Sequence, residues 1–172
     1  MPSDIVPGRS CGNCTLCCKV LSIPELQKPR GAVCVHCDWR KGCKTYAQRP
    51  MPCRAFDCSY LLSPGLGEEW KPTTSHFVLG YVAEADIVLV FTDPDHAHAW
   101  RQEPYYSRIK RWAAPSDIGG YVVVWESART LVLSGADEFD LGELRDDQTI
   151  VREEQPGPAG KKVVFYAADG RT

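Results

Sequence analysis

"HFVLGYVAEADIVLVFTD", residues 76–93, holds two runs of β-branched, aliphatic and aromatic residues parted by the polar stretch from Glu84 to Asp86. Runs of that length and composition, split by a short polar turn, predict an antiparallel hairpin. The pattern returns at 121–135, where "YVVVWE" and "RTLVLSG" flank Ser127, and "KKVVFYAA" at 161–168 adds a fifth strand. Between the hairpins, "DPDHAHAWRQEPYYSRIKRWAA" has helical character interrupted by Pro104. Proline is tolerated there if it opens a second helix at its first turn. Tyr105, Ile109 and Trp112 then recur at helical spacing and would face the sheet. Residues 137–160 are acidic and then Gly/Pro-rich, which predicts a surface loop.

Upstream of residue 64 the composition changes. Cys, Pro, Gly and charged residues dominate, and no apolar periodicity lasts more than a turn or two. Loops and short helical turns, held by something other than an apolar core, are expected. "SPGLGEEWKPTTS", 63–75, is a turn-rich connector in which Leu66 and Trp70 should pack. The predicted class is α+β: a Cys-rich, metal-held module at 1–63, packed on a small antiparallel sheet with one or two helices at 64–172. With 172 residues the two read as one continuous compact unit.

All nine cysteines, at 11, 14, 17, 18, 34, 37, 43, 53 and 58, precede residue 59. The first ten residues lack the basic and apolar regions of a secretory signal, and runs such as "IVLVF" at 87–91 are far short of the ~20 residues of a membrane span. A reducing cytoplasm without membrane attachment is therefore expected. An odd number of thiols in that setting points to metal thiolates before disulfides. Charge is uneven as well. Residues 1–75 hold ten Lys and Arg against six Asp and Glu, a net +4, while 76–172 carry a net −6. Basic residues beside thiols lower thiol pKa and offset the −2 left when four thiolates bind a divalent ion. The basic residues are scattered singly, as at Arg9, Lys19, Lys28 and Arg30, without the dense stripe that tracks phosphates, which argues against a nucleic-acid partner.

"CGNCTLCCKV" at 11–20 sets Cys17 and Cys18 side by side. On a helix, Cys11, Cys14 and Cys18 would share a face and Cys17 would point about 100° away. An adjacent pair of this kind feeds two neighbouring metal centres, or one bridged centre, more readily than one tetrahedral ion. "CVHC" supplies Cys34 and Cys37, while Cys43, Cys53 and Cys58 come at wider spacing. Zinc is the preferred metal, since C-x2-C pairs build its closed structural sites. Nine thiols fill two such sites with one left over, or suit a three-zinc cluster with bridging sulfurs. Iron is the rival: C-x2-C-x2-C is the spacing of three ligands in bacterial-type [4Fe–4S] sites, although Leu21 stands where the fourth cysteine of that motif belongs. His36, between two cysteines, is expected to point outward.

The order "CGNCTLCC", "CVHC", "GCKTY", "RPMPCRAFDC" closely resembles the YkgJ-type cysteine cluster family, a zinc- or iron-chelating CxxCxxCC domain, over residues 8–62. Cys11, Cys14, Cys17, Cys18, Cys43, Cys53 and Cys58 fall on its motif, with Tyr46, Arg49, Pro50 and Phe56 in the intervening pattern. Cys34 and Cys37 sit where members carry one or two cysteines. The resemblance implies metal chelation and says little about activity, although a related motif occurs in flagellin lysine methylases with an iron–sulfur cluster. From the residues themselves, Pro50 and Pro52 should fix an extended lead-in to Cys53, and Arg49 and Arg54 could donate to the sulfurs.

"DPDHAHAW" at 93–100 gathers Asp93, Asp95, His96 and His98, which could form an oxygen/nitrogen metal site, but the carboxylates better fit N-caps of the coming helix, and capping is favoured. Asp137, Glu138, Asp140 and Glu143 read as a solvated acidic loop. No phosphate-binding Gly loop, G-x-S-x-G or H-E-x-x-H is present, so a binding role follows more readily than an enzymatic one. The expected function is a zinc-thiolate protein with a structural or binding role. An iron–sulfur protein in redox, sensing or a modification enzyme comes second, and metal storage or delivery third.

Overall fold

The structure, a computed structural model, describes residues 5–39, 41–114, 120–145, 147–157 and 160–170. The Cys-rich segment contains α1 (Cys17–Val20), the two-stranded ribbon β1 (Cys37–Asp38) and β2 (Gly42–Cys43), α2 (Met51–Ala55) and α3 (Ser59–Leu62). There follow α4 (Pro72–Ser75), β3 (Phe77–Val82), β4 (Ile87–Thr92), α5 (Tyr105–Trp112), β5 (Tyr121–Glu126), β6 (Arg129–Ser134), β7 (Asp137–Asp140), β8 (Gln148–Gly157) and β9 (Gly160–Asp169). This is an α+β fold of short helices on sheets.

Both hairpins form where the apolar runs place them, β3 with β4 and β5 with β6. Asp86 and Ser127 supply left-handed backbone at their turns. The sheet, ordered β3-β4-β5-β6-β7, is nevertheless mixed and not antiparallel throughout, because β4 and β5 run parallel. Thr92 and Tyr121 are joined by a crossover that includes α5, and parallel neighbours need such a crossover where antiparallel ones need only a turn. α5 starts just after Pro104, as its sequence predicts.

The loop expected at 137–160 is also corrected. Residues 137–140 form the edge strand β7, and 148–157 pair with β9 over the full ten residues of each strand. Their polar composition hides the strand signal, and charged residues are what an edge strand carries to discourage further pairing. Two of the β7 carboxylates are matched: Arg101 Nη2 lies 2.5 Å from Glu138 Oε1, and Arg129 pairs with Asp140.

Successive side chains of each central strand go to opposite faces, and both faces are covered. On one, Phe77, Leu79, Val90, Val122, Val124, Leu131 and Leu133 pack with Trp70, Trp100, Tyr105 and Ile109, joined by Tyr60 and Leu61 of α3. Trp70 meets Tyr105 edge-on at 5.0 Å. On the other face, Val78 and Phe91 pack on Leu16 and Val20 beside α1, while Val123 and Val132 pack on Phe165 of β9. Burial on both sides explains why the strands read as unbroken apolar runs and not as alternation. The Cys-rich segment thus contributes Leu16, Val20, Ile23, Tyr60 and Leu61 to the buried interior, which corrects the expectation that it holds together without an apolar core. These residues pack on the sheet more than on one another, so they leave no periodic trace in the sequence.

Glu126, 4% exposed at the end of β5, accepts from Trp100 Nε1 at 3.0 Å and Arg101 Nε at 3.3 Å and faces His98 Nδ1 at 2.9 Å. Burial pushes its pKa up, but the bonds from His98, Trp100 and Arg101 outweigh that and hold it below the ordinary 4.5. A depressed carboxylate contributes stability that is complete above the unfolded value and is lost as pH falls through the folded one. Glu126→Gln should therefore lower the thermal midpoint at neutral pH and flatten the acid limb of the stability profile below about pH 4.5, read by thermal melts across pH.

Candidate metal centre

The thiols arrive from five short pieces of backbone. Cys11 and Cys14 share a turn in which Cys14 N–H donates to Cys11 O at 2.7 Å and Gly12 has φ +50°. Cys17 and Cys18 begin α1. Cys34 and Cys37 are joined by Cys37 N–H to Cys34 O at 2.9 Å, and the β1–β2 register sets Cys43 opposite Cys37. Directly opposed residues of an antiparallel ribbon present their side chains on one face. Cys34 N–H also donates to Cys18 O at 2.9 Å, which docks this piece on α1. Cys53 lies in α2 and Cys58 at the N-cap of α3.

The helix assumed for 11–18 begins only at Cys17. Left-handed backbone at Gly12, which glycine adopts without steric cost, forms a turn in its place. The lead-in to Cys53 is likewise extended at Pro50 only, because Pro52 already lies in the first turn of α2.

A cavity of about 120 Å³ is lined by Cys11, Cys14, Cys17, Cys18, Cys34, Cys43 and Cys53. A smaller one of about 40 Å³ is lined by Cys11, Cys14 and Cys17 again, together with Cys58. Cys37 lines neither and reaches the group through its hydrogen bond with Cys18. All nine cysteines are free. Tyr46, Arg49, Pro50 and Phe56, the residues between the cysteines in the family-like pattern, line the larger cavity as well. So does His36, against the expectation that it points outward.

Burial raises the pKa of Cys11, Cys14 and Cys53, and pushes Cys37 and Cys58 up to about 11. Within the adjacent pair, the Cys17 thiol donates to Cys18; this raises Cys17 and lowers Cys18. Three cations answer the sulfurs, among them Lys71, which lines the smaller cavity and opposes the rise of Cys14. Arg49 stacks on Tyr46, 4.0 Å from the ring centroid, and its buried Nε has no hydrogen-bond partner. Arg54 is exposed on α2 and does not line the cavity. Lys28 was not singled out as a site residue by its sequence, where it is one scattered lysine among many. It is 7% exposed, and its ammonium donates to the carbonyls of Lys19 at 3.1 Å, Pro29 at 3.2 Å and Leu21. Burial lowers its pKa, and Cys34, Cys18, Cys53 and Cys17 oppose that.

The donor set suits a metal that prefers soft ligands. Eight free sulfurs border adjoining cavities and Cys37 joins them through Cys18, with cations nearby to offset thiolate charge; both zinc and iron–sulfur centres take such ligands. No family model, curated protein or solved structure matches the chain.

Lys28→Met strands the carbonyls of Lys19 and Leu21 at the end of α1 and that of Pro29. The variant should lose about 1–3 kcal/mol of stability, measured as a lower urea midpoint, and should retain less metal per chain under limiting supply.

Proposed function

We propose that this chain is a cytoplasmic metal-thiolate protein whose N-terminal sulfurs hold a shared, polynuclear centre with a structural or binding role. The observation that carries the reading is convergence. Eight of the nine free thiols, from five pieces of backbone, line two adjoining cavities, Cys11, Cys14 and Cys17 border both, and Cys37 joins through Cys18. The resemblance to the YkgJ-type cysteine cluster family supports chelation by the same residues.

A single zinc ion with four thiolates at about 2.3 Å spaces its sulfurs at roughly 3.8 Å. Among the described residues, no three cysteine sulfurs all lie within 4.8 Å of one another. Every zinc of a bridged cluster needs that same spacing, so it is the sharing of Cys11, Cys14 and Cys17 between the two cavities that favours a bridged cluster over two separate mononuclear sites. Zinc remains the preferred occupant, as a nine-thiolate cluster with bridging sulfurs. The second reading, a [4Fe–4S] centre, is favoured by the C-x2-C-x2-C run at Cys11, Cys14 and Cys17, since these are the sulfurs common to both cavities. Either occupant would supply cross-links between segments that share few backbone hydrogen bonds. Structural zinc sites contribute on the order of 10 kcal/mol to folding.

Protein isolated without oxygen should contain zinc or iron at a fixed stoichiometry above one ion per chain, by elemental analysis. A zinc form is colourless, and an iron–sulfur form absorbs broadly in the visible and bleaches in air. Cys17→Ser, at one of the three sulfurs common to both cavities, should remove most of the metal, whereas Cys37→Ser should remove less. Metal-free protein that is fully folded, with all nine thiols reactive, would refute the reading. Exchangeable, substoichiometric loading would assign the chain to storage instead.

A further inference from the structure

A second set of metal-binding side chains meets at the end of the β3–β4 hairpin opposite its turn. Among the described residues, His76, Asp93 and His96 are the one group of His, Cys, Asp or Glu whose donor atoms all lie within 4.8 Å of one another. None of the three lines either thiol cavity. The fold builds this group from the backbone outward. His76 takes left-handed backbone at φ +60° just before β3, and Asp93 N–H donates to His76 O at 2.9 Å, continuing the pairing of Phe77 with Thr92. Asp93 then opens the 3-10 turn Pro94–His96, which brings His96 back over it.

The carboxylate divides its two oxygens. Oδ1 accepts from Lys19 Nζ at 2.5 Å and from Asp95 N–H at 3.1 Å, the capping bond expected from the sequence. Oδ2 faces His96 Nδ1 at 3.6 Å, beyond hydrogen-bond length. Metal bonds of about 2.0–2.2 Å place neighbouring ligand atoms roughly 3.4 Å apart, so this gap suits an ion between the two groups. Asp93 is only 6% exposed, unlike a solvated surface acid. Lys19 also meets Asp95 Oδ2 at 2.6 Å, so two carboxylates share one ammonium and the local charge stays negative.

We infer that His76, Asp93 and His96 form a mononuclear site for a divalent first-row transition ion, with water completing its coordination. Two imidazoles and a carboxylate are borderline donors that suit zinc, cobalt, nickel or ferrous iron, and the site is chemically distinct from the soft sulfurs. Lys19 is a positioning residue: it holds Oδ1 and leaves Oδ2 for the ion. The rings of His76 and His96 stack at 3.8 Å with 15° between their planes. A bound ion lies in the plane of each ligating ring, so loading turns the half-exposed His96 out of the stack.

Cobalt(II) titration of the full-length chain, with its thiol centre loaded as isolated and its metal content already measured, tests the site. One further equivalent should bind with weak visible bands, without sulfur-to-cobalt charge transfer, and should broaden the imidazole resonances of His76 and His96. His96→Ala removes an exposed ligand, and His76→Asn keeps a residue that tolerates left-handed backbone. Each should weaken cobalt binding by more than about 100-fold, beyond the loss an outer partner gives. The thiol-bound metal should not change. Absence of the extra equivalent, charge transfer from sulfur, or unchanged affinity in His96→Ala would overturn the inference; of these only the charge transfer, which places cobalt on the sulfurs, also bears on the thiol centre.

Discussion

Coverage of both faces of one sheet is the constraint from which the rest follows. Val78 and Val90 are at most 1% exposed although they point to opposite sides of the β3–β4 pair. Each such side chain contributes about 1.5–3 kcal/mol when fully buried, so neither face can be left open. α5 and the aromatic residues around Trp70 and Trp100 close one side. The other side is divided between the β8–β9 ribbon and the Cys-rich segment. The segment that carries the thiols is therefore an outer layer of the core, and Leu16 and Val20, beside the sulfurs, fix α1 on the sheet.

Charged contacts fix the register of that layer where apolar packing alone would let it slide. Lys19, one residue beyond Cys18, reaches across to Asp93 after β4. Both side chains are nearly buried, and their pKa values move as an ion pair requires. Burial lowers Lys19 but the bonds to Asp93 and Asp95 raise it overall; burial raises Asp93 but Lys19 and the Asp95 N–H lower it overall. A buried pair adds little net stability relative to an apolar substitute, but it admits one arrangement of its two elements. Lys28 does the same for the end of α1 by holding the carbonyls of Lys19 and Leu21. Arg9 ties the start of the chain to α3 through Ser63 O at 2.8 Å and the carbonyls of Tyr60 and Leu66.

The same ion pair links two donor sets of different chemistry. Sulfurs crowd one side of α1, and imidazoles with a carboxylate stand beyond Lys19. Soft and borderline ligands sort metals by type, so one small chain can offer two separate environments without sharing a ligand between them. No helix among the described residues is long and apolar enough to cross a membrane.

By itself the sequence determined the local elements: both hairpins, the helix after Pro104, and the nine thiols as the chemical focus. These are written in runs, turns and spacings, which depend on near neighbours. Tertiary structure decided what depends on distant ones. The parallel pairing of β4 with β5 follows from where the crossover lands, and the strands β7 and β8 exist because their backbones pair with β6 and β9, although their exposed polar residues alone suggest a loop. The cavity shared by Cys11 and Cys53, the ammonium of Lys28 beside the sulfurs, and the meeting of His76 with His96 each join residues with no pattern between them. Packing against the sheet brings such residues together, and no local spacing encodes it.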